Sequence, residues 1–331
     1  MKCLVTGGTG HIGNTLVRDL IHRGYRVRIF MLPGDDVRMF HGMDVEVCYG
    51  DVRNRDDLNA AMKDIDTVFH AAGIIDIGSA NKKLMYDVNV GGTKNVVDTC
   101  IENGVRTLVY VSSVHALPEL QNDHVIHEID HFSPKGLMGS YAKTKAIATQ
   151  YVLAAKDKLD VRVVHPSGVI GPYEYITSNI GQLIEDFQDK RLKAYIDGGY
   201  NFVDVRDVSN GIILAYEKGS RGECYILGGS YLSVKDLMVK LEEFTGVKAP
   251  QTVMPYWFMQ VMSFFAEGYY KLCRQKPLFT ATSIHVLRSN ANFCIEKAQK
   301  ELGYCCRSID ETLRDTVEWL QSRNRVAFGA I

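Results

Sequence analysis

The chain has 331 residues, 46% of them apolar, with 38 basic against 39 acidic side chains for a net charge of −1. Such a length buries a large core and predicts one big lobe with a smaller one, while the balanced charge argues against a nucleic-acid partner. The eight cysteines form no C-x-x-C pair and stand singly, as at Cys3, Cys48, Cys100 and Cys224, apart from adjacent Cys305 and Cys306. That is a pattern of reduced thiols, which predicts a cytoplasmic protein with no disulfide framework and no metal site.

The first predicted strand covers residues 3–5, so the N-terminus reads as structure rather than as a cleavable signal peptide. It runs into Thr6-Gly7-Gly8-Thr9-Gly10-His11-Ile12-Gly13 and then a helix over about 12–22. Gly7 permits the strand-to-helix turn, Gly10 lets the backbone approach a pyrophosphate, and Gly13 lets the helix pack on the sheet. The helix N-terminus then lies under the phosphates, which makes this segment a dinucleotide site.

Strands follow at 26–31, 45–48, 67–70, 107–112 and 161–165, each succeeded by a helical pattern. This alternation predicts an α/β fold with a doubly wound parallel sheet. The rhythm breaks between Ser167 and Lys193, after which short strands are predicted at 194–196 and 201–205, with returns to the main sheet around 207–216 and 224–227. The expected division is a dinucleotide-binding domain over 1–170, with returns near 201–228, and a smaller, interleaved substrate-binding lobe over most of 171–331.

Reactive chemistry is concentrated in two elements. Tyr141 and Lys145, four apart on a helix, share one face, and a neighbouring ammonium stabilises a phenolate and moves its pKa toward neutrality. Ser112 and Ser113 close the fifth strand at the sheet edge that carries the glycine loop. A serine hydroxyl there can hold a substrate carbonyl oxygen while Tyr141 exchanges the proton. Residues 254–270, MPYWFMQVMSFFAEGYY, are too polar and too short to span a bilayer. They read as core, as the wall of an apolar substrate site, or as a peripheral membrane contact.

The motifs TGGTGHIG, GDV (50–52), FHAAG (69–73), NVGGT (89–93), YVSS (110–113), YAKTK (141–145), HPSGVIGP (165–172) and FVDVRDV (202–208) together resemble the extended short-chain dehydrogenase/reductase family, which includes NAD-dependent epimerases and dehydratases. Within it the chain is similar to the branch of dihydroflavonol reductases and 3β-hydroxysteroid dehydrogenases. The later stretch PLFT (277–280), with Phe293, Glu296-Lys297-Ala298 and Glu301-Leu302-Gly303-Tyr304, fits the C-terminal region of that branch. The resemblance implies Tyr141 as general acid/base, Lys145 as the group that holds the nicotinamide ribose, and Ser113 as the catalytic serine, with Ser112 if the register shifts by one. It places Asn89 with this catalytic set. For the cofactor it implies Gly7, Thr9, Gly10, His11, Ile12 and Gly13 at the glycine loop, Met31 at the end of the second strand, and Asp51 with Val52 beside the adenine. Ala71, Ala72 and Gly73 would line the path, Ser112 would join it, and Pro166, Gly168 and Val169 would run past the nicotinamide.

One departure bears on the cofactor. NAD enzymes place an acid at the end of the second strand and NADP enzymes an arginine beside it; here Met31 and Leu32 stand there. Arg28, Arg38 and His11 are candidate partners for a 2′-phosphate, and Asp35 and Asp36 for a ribose. The expectation is NADP(H) or NAD(H), leaning to NADP(H). The expected activity is NAD(P)(H)-dependent reduction of a ketone or aldehyde, or oxidation of a secondary alcohol, on a small hydrophobic ring substrate that is 3β-hydroxysteroid- or dihydroflavonol-like. The alternative is a nucleotide-sugar epimerase or dehydratase, with Arg206 available for a diphosphate. A non-catalytic dinucleotide-sensing regulator is a third reading, against which Ser113, Tyr141 and Lys145 argue. A homodimer is the oligomeric state considered.

Overall fold

Short strands that are apolar on both faces need cover on both, and the chain supplies it with helices between successive strands. The computed structural model describes residues 1–75, 82–121, 124–256 and 281–328. Strands β1 (Lys2–Thr6), β2 (Arg26–Met31), β3 (Val45–Tyr49), β4 (Thr67–His70), β5 (Thr107–Val111), β6 (Asp160–Pro166) and β10 (Cys224–Leu227) form one seven-stranded sheet. Its order is β10-β6-β5-β4-β1-β2-β3, with every pairing parallel. All residues of β4 and β5 are buried.

Two apolar layers flank the sheet. Leu16, Val17 and Leu20 of α1 (His11–His22) and Ile212 and Ile213 of α7 (Val205–Lys218) cover one face. Leu58 of α2 (Arg55–Ala61), Val96 and Val97 of α4 (Thr93–Glu102) and Ala146 and Val152 of α5 (Ser140–Ala154) cover the other. Strand order reverses between β1 and β4, so the loops that follow them diverge and open a crevice at the carboxyl edge, where ligands bind in this architecture. A third cluster joins a small sheet of β7 (Gly168–Ile170), β9 (Gly199–Asp204) and β11 (Ser230–Ser233) to α6 (Asn179–Gln188), α8 (Val234–Thr245) and α10 (Ile309–Phe328). A two-stranded ribbon pairs β8 (Ala194–Ile196) with β12 (Thr252–Met254).

Two expectations change. Between β2 and β3 there is no α-helix, only a 3-10 turn at Arg38–Phe40; β3 is an edge strand with partly exposed residues, so a full covering helix is not required there. Residues 207–216 do not return as a strand but lie in α7. The strand before it stops at Asp204, whose carboxylate accepts the Arg206 amide at 2.8 Å and caps the helix. Of residues 254–270, Met254 ends β12 and Tyr256 lies under the Arg288 guanidinium at 4.5 Å. Residues 257–270 and 277–280 lie outside the described residues. No described helix is long and apolar enough to cross a membrane.

Candidate active site

The glycine loop after β1 is shaped by two different demands. Gly7 has φ +71, and a Cβ there would stand 2.6 Å from the Ala72 backbone; a Cβ on Gly13 would stand 2.0 Å from the Gly7 carbonyl oxygen. The fold itself therefore requires these two. Gly10 differs, since its φ is −73 and a Cβ would touch only the Gly7 oxygen at 3.4 Å. Nothing in the protein demands glycine at Gly10, whereas a pyrophosphate lying on the start of α1 would. The loop thus fits a dinucleotide. Ile12 packs into the layer behind it, and the Thr9 hydroxyl donates to Asp35 Oδ2 at 3.0 Å. His11 is turned away, its Nε2 bonded to the Pro172 carbonyl at 2.8 Å.

At the adenosine end the side chains are arranged differently from expectation. Met31 is 3% exposed and part of the core. Arg28 is buried against Glu46 and the carbonyls of Ala61 and Lys63, and Arg38 is chelated by Asp36. None of the cations named for a 2′-phosphate is free. Asp51 is held by the Arg53 guanidinium, which keeps its carboxyl below the usual range, and Val52 is buried in the core. Ala71 and Ala72 hang from β1, with the Ala71 amide on the Thr6 carbonyl at 3.2 Å.

The reactive set lies beyond β5. Ser112 and Ser113 point to opposite sides, as consecutive strand residues do. The Ser112 hydroxyl is buried on Thr149 at 2.6 Å, whereas the Ser113 hydroxyl lies beside the Tyr141 phenol, whose pKa it lowers, and accepts the His115 amide at 3.2 Å. Ser113 is therefore the serine that meets Tyr141. Lys145, 5% exposed, donates to the Val111 carbonyl at 2.8 Å, and a Cβ on Gly73 would lie 3.4 Å from its Nζ.

Burial governs both titrations. It pulls the Lys145 ammonium down to about 7 and pushes the Tyr141 hydroxyl up to about 12, with the Ser113 bond acting against the rise. The expected lowering of Tyr141 by Lys145 is not found among the protein's own influences on that phenol. Lys145 is instead anchored to the end of β5, and burial disfavours the charged form of each group.

Asn89 does not touch the reacting groups. It lies in a π-helical turn at Asp87–Gly92, a local strain often found near functional sites. Its carboxamide accepts the Ile74 amide at 2.8 Å and donates to the Ile74 carbonyl and the Thr144 hydroxyl. Thr144 in turn donates to the Tyr141 carbonyl at 2.8 Å. Asn89 thus ties the Ala71–Gly73 loop to the turn of α5 that carries Tyr141. Pro166 ends β6 against Leu227, and Val169 pairs with Val203. Gly168 lies under the Tyr200 ring, where a Cβ would be 2.8 Å from a ring carbon.

Tyr200 and His115 carried no sequence signal. The Tyr200 hydroxyl meets His115 Nε2 at 3.1 Å with the rings stacked, and the His115 ring stands edge-on to Tyr141 at 6.0 Å between centroids. Burial pulls the His115 imidazole down to about 4, so it stays neutral. The two residues are far apart in sequence and meet only because β9 crosses beside the 3-10 turn at Val114–Ala116.

Residues 4–228 match the model of the 3-beta hydroxysteroid dehydrogenase/isomerase family. The chain belongs to that family. It is 33% identical over 333 residues to sterol demethylase protein B of Methylococcus capsulatus, covering 98% of this chain and 100% of that one. It is 30% identical over 352 residues to human sterol-4-alpha-carboxylate 3-dehydrogenase, decarboxylating, covering 98% and 90%. The crystal structure of gox2253 superposes with a TM-score of 0.85 at 31% identity, covering 98% of each chain. This member of the 3-beta hydroxysteroid dehydrogenase/isomerase family is accordingly an extended short-chain oxidoreductase, NAD(P)-dependent like its family.

Proposed function

We propose that this enzyme interconverts a secondary alcohol and a ketone on a hydrophobic ring substrate of the 3β-hydroxysteroid or dihydroflavonol kind. The observation that carries the reading is the juxtaposition of Ser113 and Tyr141, with Lys145 one helical turn along, at the sheet edge that holds the glycine loop. Tyr141 gives its proton to the carbonyl oxygen during reduction and takes it back during oxidation. Ser113 accepts the His115 amide, so its single hydrogen is shared between the Tyr141 phenol and, once substrate is bound, the substrate oxygen. Lys145 keeps α5 seated on β5 and stands beside Gly73, on the path expected for the nicotinamide ribose. Asn89 positions Tyr141 through Thr144. When bound, the dinucleotide gives or takes the hydride. Residues 171–331 would supply most of the substrate lobe, with the Tyr200 and His115 pair facing the reacting end.

The sterol-named relatives support a hydrophobic substrate. The nucleotide-sugar reading loses its main support because Arg206, the cation named for a diphosphate, is clamped between Asp204 at 2.7 Å and Asp315 at 2.6 Å. A screen of 3-ketosteroids, 3β-hydroxysteroids, flavonoid-like ketones and UDP- and GDP-sugars, following nicotinamide absorbance and sugar stereochemistry, tests this directly. Turnover of the apolar ring compounds is expected; conversion of a nucleotide sugar alone would overturn it.

A further inference from the structure

We infer that the Tyr200 and His115 pair is a second recognition point for the substrate: it donates one hydrogen bond to an acceptor oxygen on the ring that carries the reacting carbon, and so selects ring ketones and alcohols bearing a further oxygen. The inference rests on the activity proposed above and concerns which ring compounds that site prefers.

The pair is fixed beside the reactive groups. The His115 amide donates to Ser113 Oγ at 3.2 Å, which ties the residue to the serine, and its ring stands edge-on to the Tyr141 ring at 6.0 Å between centroids. The imidazole is stacked on Tyr200 at 5.8 Å with 17° between the planes. Tyr200 is 8% exposed, lies over Gly168 and stands edge-on to Phe202 and Phe293. Turning either ring away would break this packing.

Counting hydrogens shows what the pair offers. Burial pulls the His115 imidazole down to about 4 and pushes the Tyr200 hydroxyl up. At neutral pH both are uncharged, and together they carry two polar hydrogens. One of these lies in the 3.1 Å bond between the Tyr200 hydroxyl and His115 Nε2. If the hydroxyl donates, the other hydrogen is on His115 Nδ1; if Nε2 donates, it is on the Tyr200 oxygen. In either tautomer one hydrogen remains, and it has no acceptor among the described residues. Glu119, whose charge reaches both rings, is bonded instead to His285 at 2.8 Å. A sheltered donor without an acceptor is costly, so a ligand that supplies one binds better. With His115 two residues from Ser113 and beside Tyr141, that acceptor belongs on the ring whose reacting oxygen those two hold. A ring with no second oxygen leaves the hydrogen bare.

The test compares matched compounds with the purified full chain. These are a 3-ketosteroid with and without a hydroxyl on the neighbouring carbon, and a flavanone with the dihydroflavonol that adds one hydroxyl beside the keto group, each with NADH and with NADPH. The parent chain is expected to favour the oxygenated member by about tenfold in kcat/KM, mainly through KM, as one hydrogen bond made in both ground and transition states requires. Tyr200→Phe and His115→Phe each leave one polar hydrogen on the pair and should keep part of that ratio. The double variant keeps two stacked rings without a polar hydrogen, and should bring the ratio to within about twofold of unity. Taking a ratio cancels any general loss of activity, and melting temperatures confirm that each variant is folded. A parent ratio near unity, or a ratio that survives in the double variant, overturns the inference while the proposed activity stands. If none of the four compounds turns over, the same ratio is read from their dissociation constants for the dinucleotide-loaded protein; binding of none of them overturns the proposed activity and the inference with it.

Discussion

A proton-transfer group must be reachable by its substrate yet shielded enough that its proton is not lost to water, and Tyr141 is half-buried at the mouth of α5 under Ser113 and His115. Tyr141→Phe removes only the hydroxyl, so turnover should fall by about 10²- to 10⁴-fold with dinucleotide affinity unchanged. Steady-state kinetics beside a fluorescence titration checks both halves. Lys145 makes a second, thermodynamic prediction. Its folded pKa of about 7 lies below the ordinary lysine value of about 10.4, so between those limits the unfolded chain binds more protons. Stability therefore rises with pH across that window and is flat below it. Against Lys145→Met, which cannot titrate, the parent chain should gain stability progressively from pH 7 to pH 10 in urea unfolding. A difference independent of pH would show that the ammonium is not desolvated.

The glycine loop separates what a turn requires from what a ligand requires. Gly13→Ala would force a Cβ to 2.0 Å from the Gly7 oxygen, so α1 must shift and stability should fall by more than about 1 kcal/mol. The Cβ of Gly10→Asp meets only a 3.4 Å contact, so the melting temperature should change little, yet dinucleotide binding should be abolished because the carboxylate occupies the phosphate path. Thermal melts and dinucleotide titrations of the two variants should give opposite patterns. The π-helical turn at Asp87–Gly92 plays a comparable part for Asn89, whose contacts reach both the Ile74 backbone and α5.

At the scale of the molecule, a partly buried charge network joins α10 to the end of β9 and the start of α7. Asp204 is completely shielded and bonded to Arg206, which also holds Asp315 of α10; Arg307 approaches Asp204 and binds Asp207. Burial alone would raise the Asp204 pKa, but the two guanidiniums overrule it and hold the carboxyl below its usual range. Its contribution is present above the unfolded value near 4 and is lost as pH falls through the folded value. Asp204→Ala leaves Arg206 with Asp315 alone and removes the cap of α7, and should cost about 1–3 kcal/mol in chemical denaturation, with the loss shrinking on acidification below pH 4.

Much of this was legible along the chain, because the signals are local. Apolar runs separated by helical patterns determine a parallel sheet, the glycine spacing determines a turn onto a helix, and Tyr141 with Lys145 share a face by helical geometry alone. What the tertiary structure decided depends on where side chains point and on partners distant in sequence. Pleating sends Ser112 into the core and Ser113 to Tyr141. Burial places Met31 in the core and lowers the Lys145 pKa. A reverse turn brings Asp35 to Thr9, and a crossing strand brings Tyr200 to His115. The sequence by itself determines the family, the sheet and the candidate trio proposed for catalysis, since each is written in spacings of a few residues. The anchoring of Asp35 on the glycine loop and the surroundings of the phenol were decided only by folding, because desolvation and long-range contact have no signature in a linear pattern.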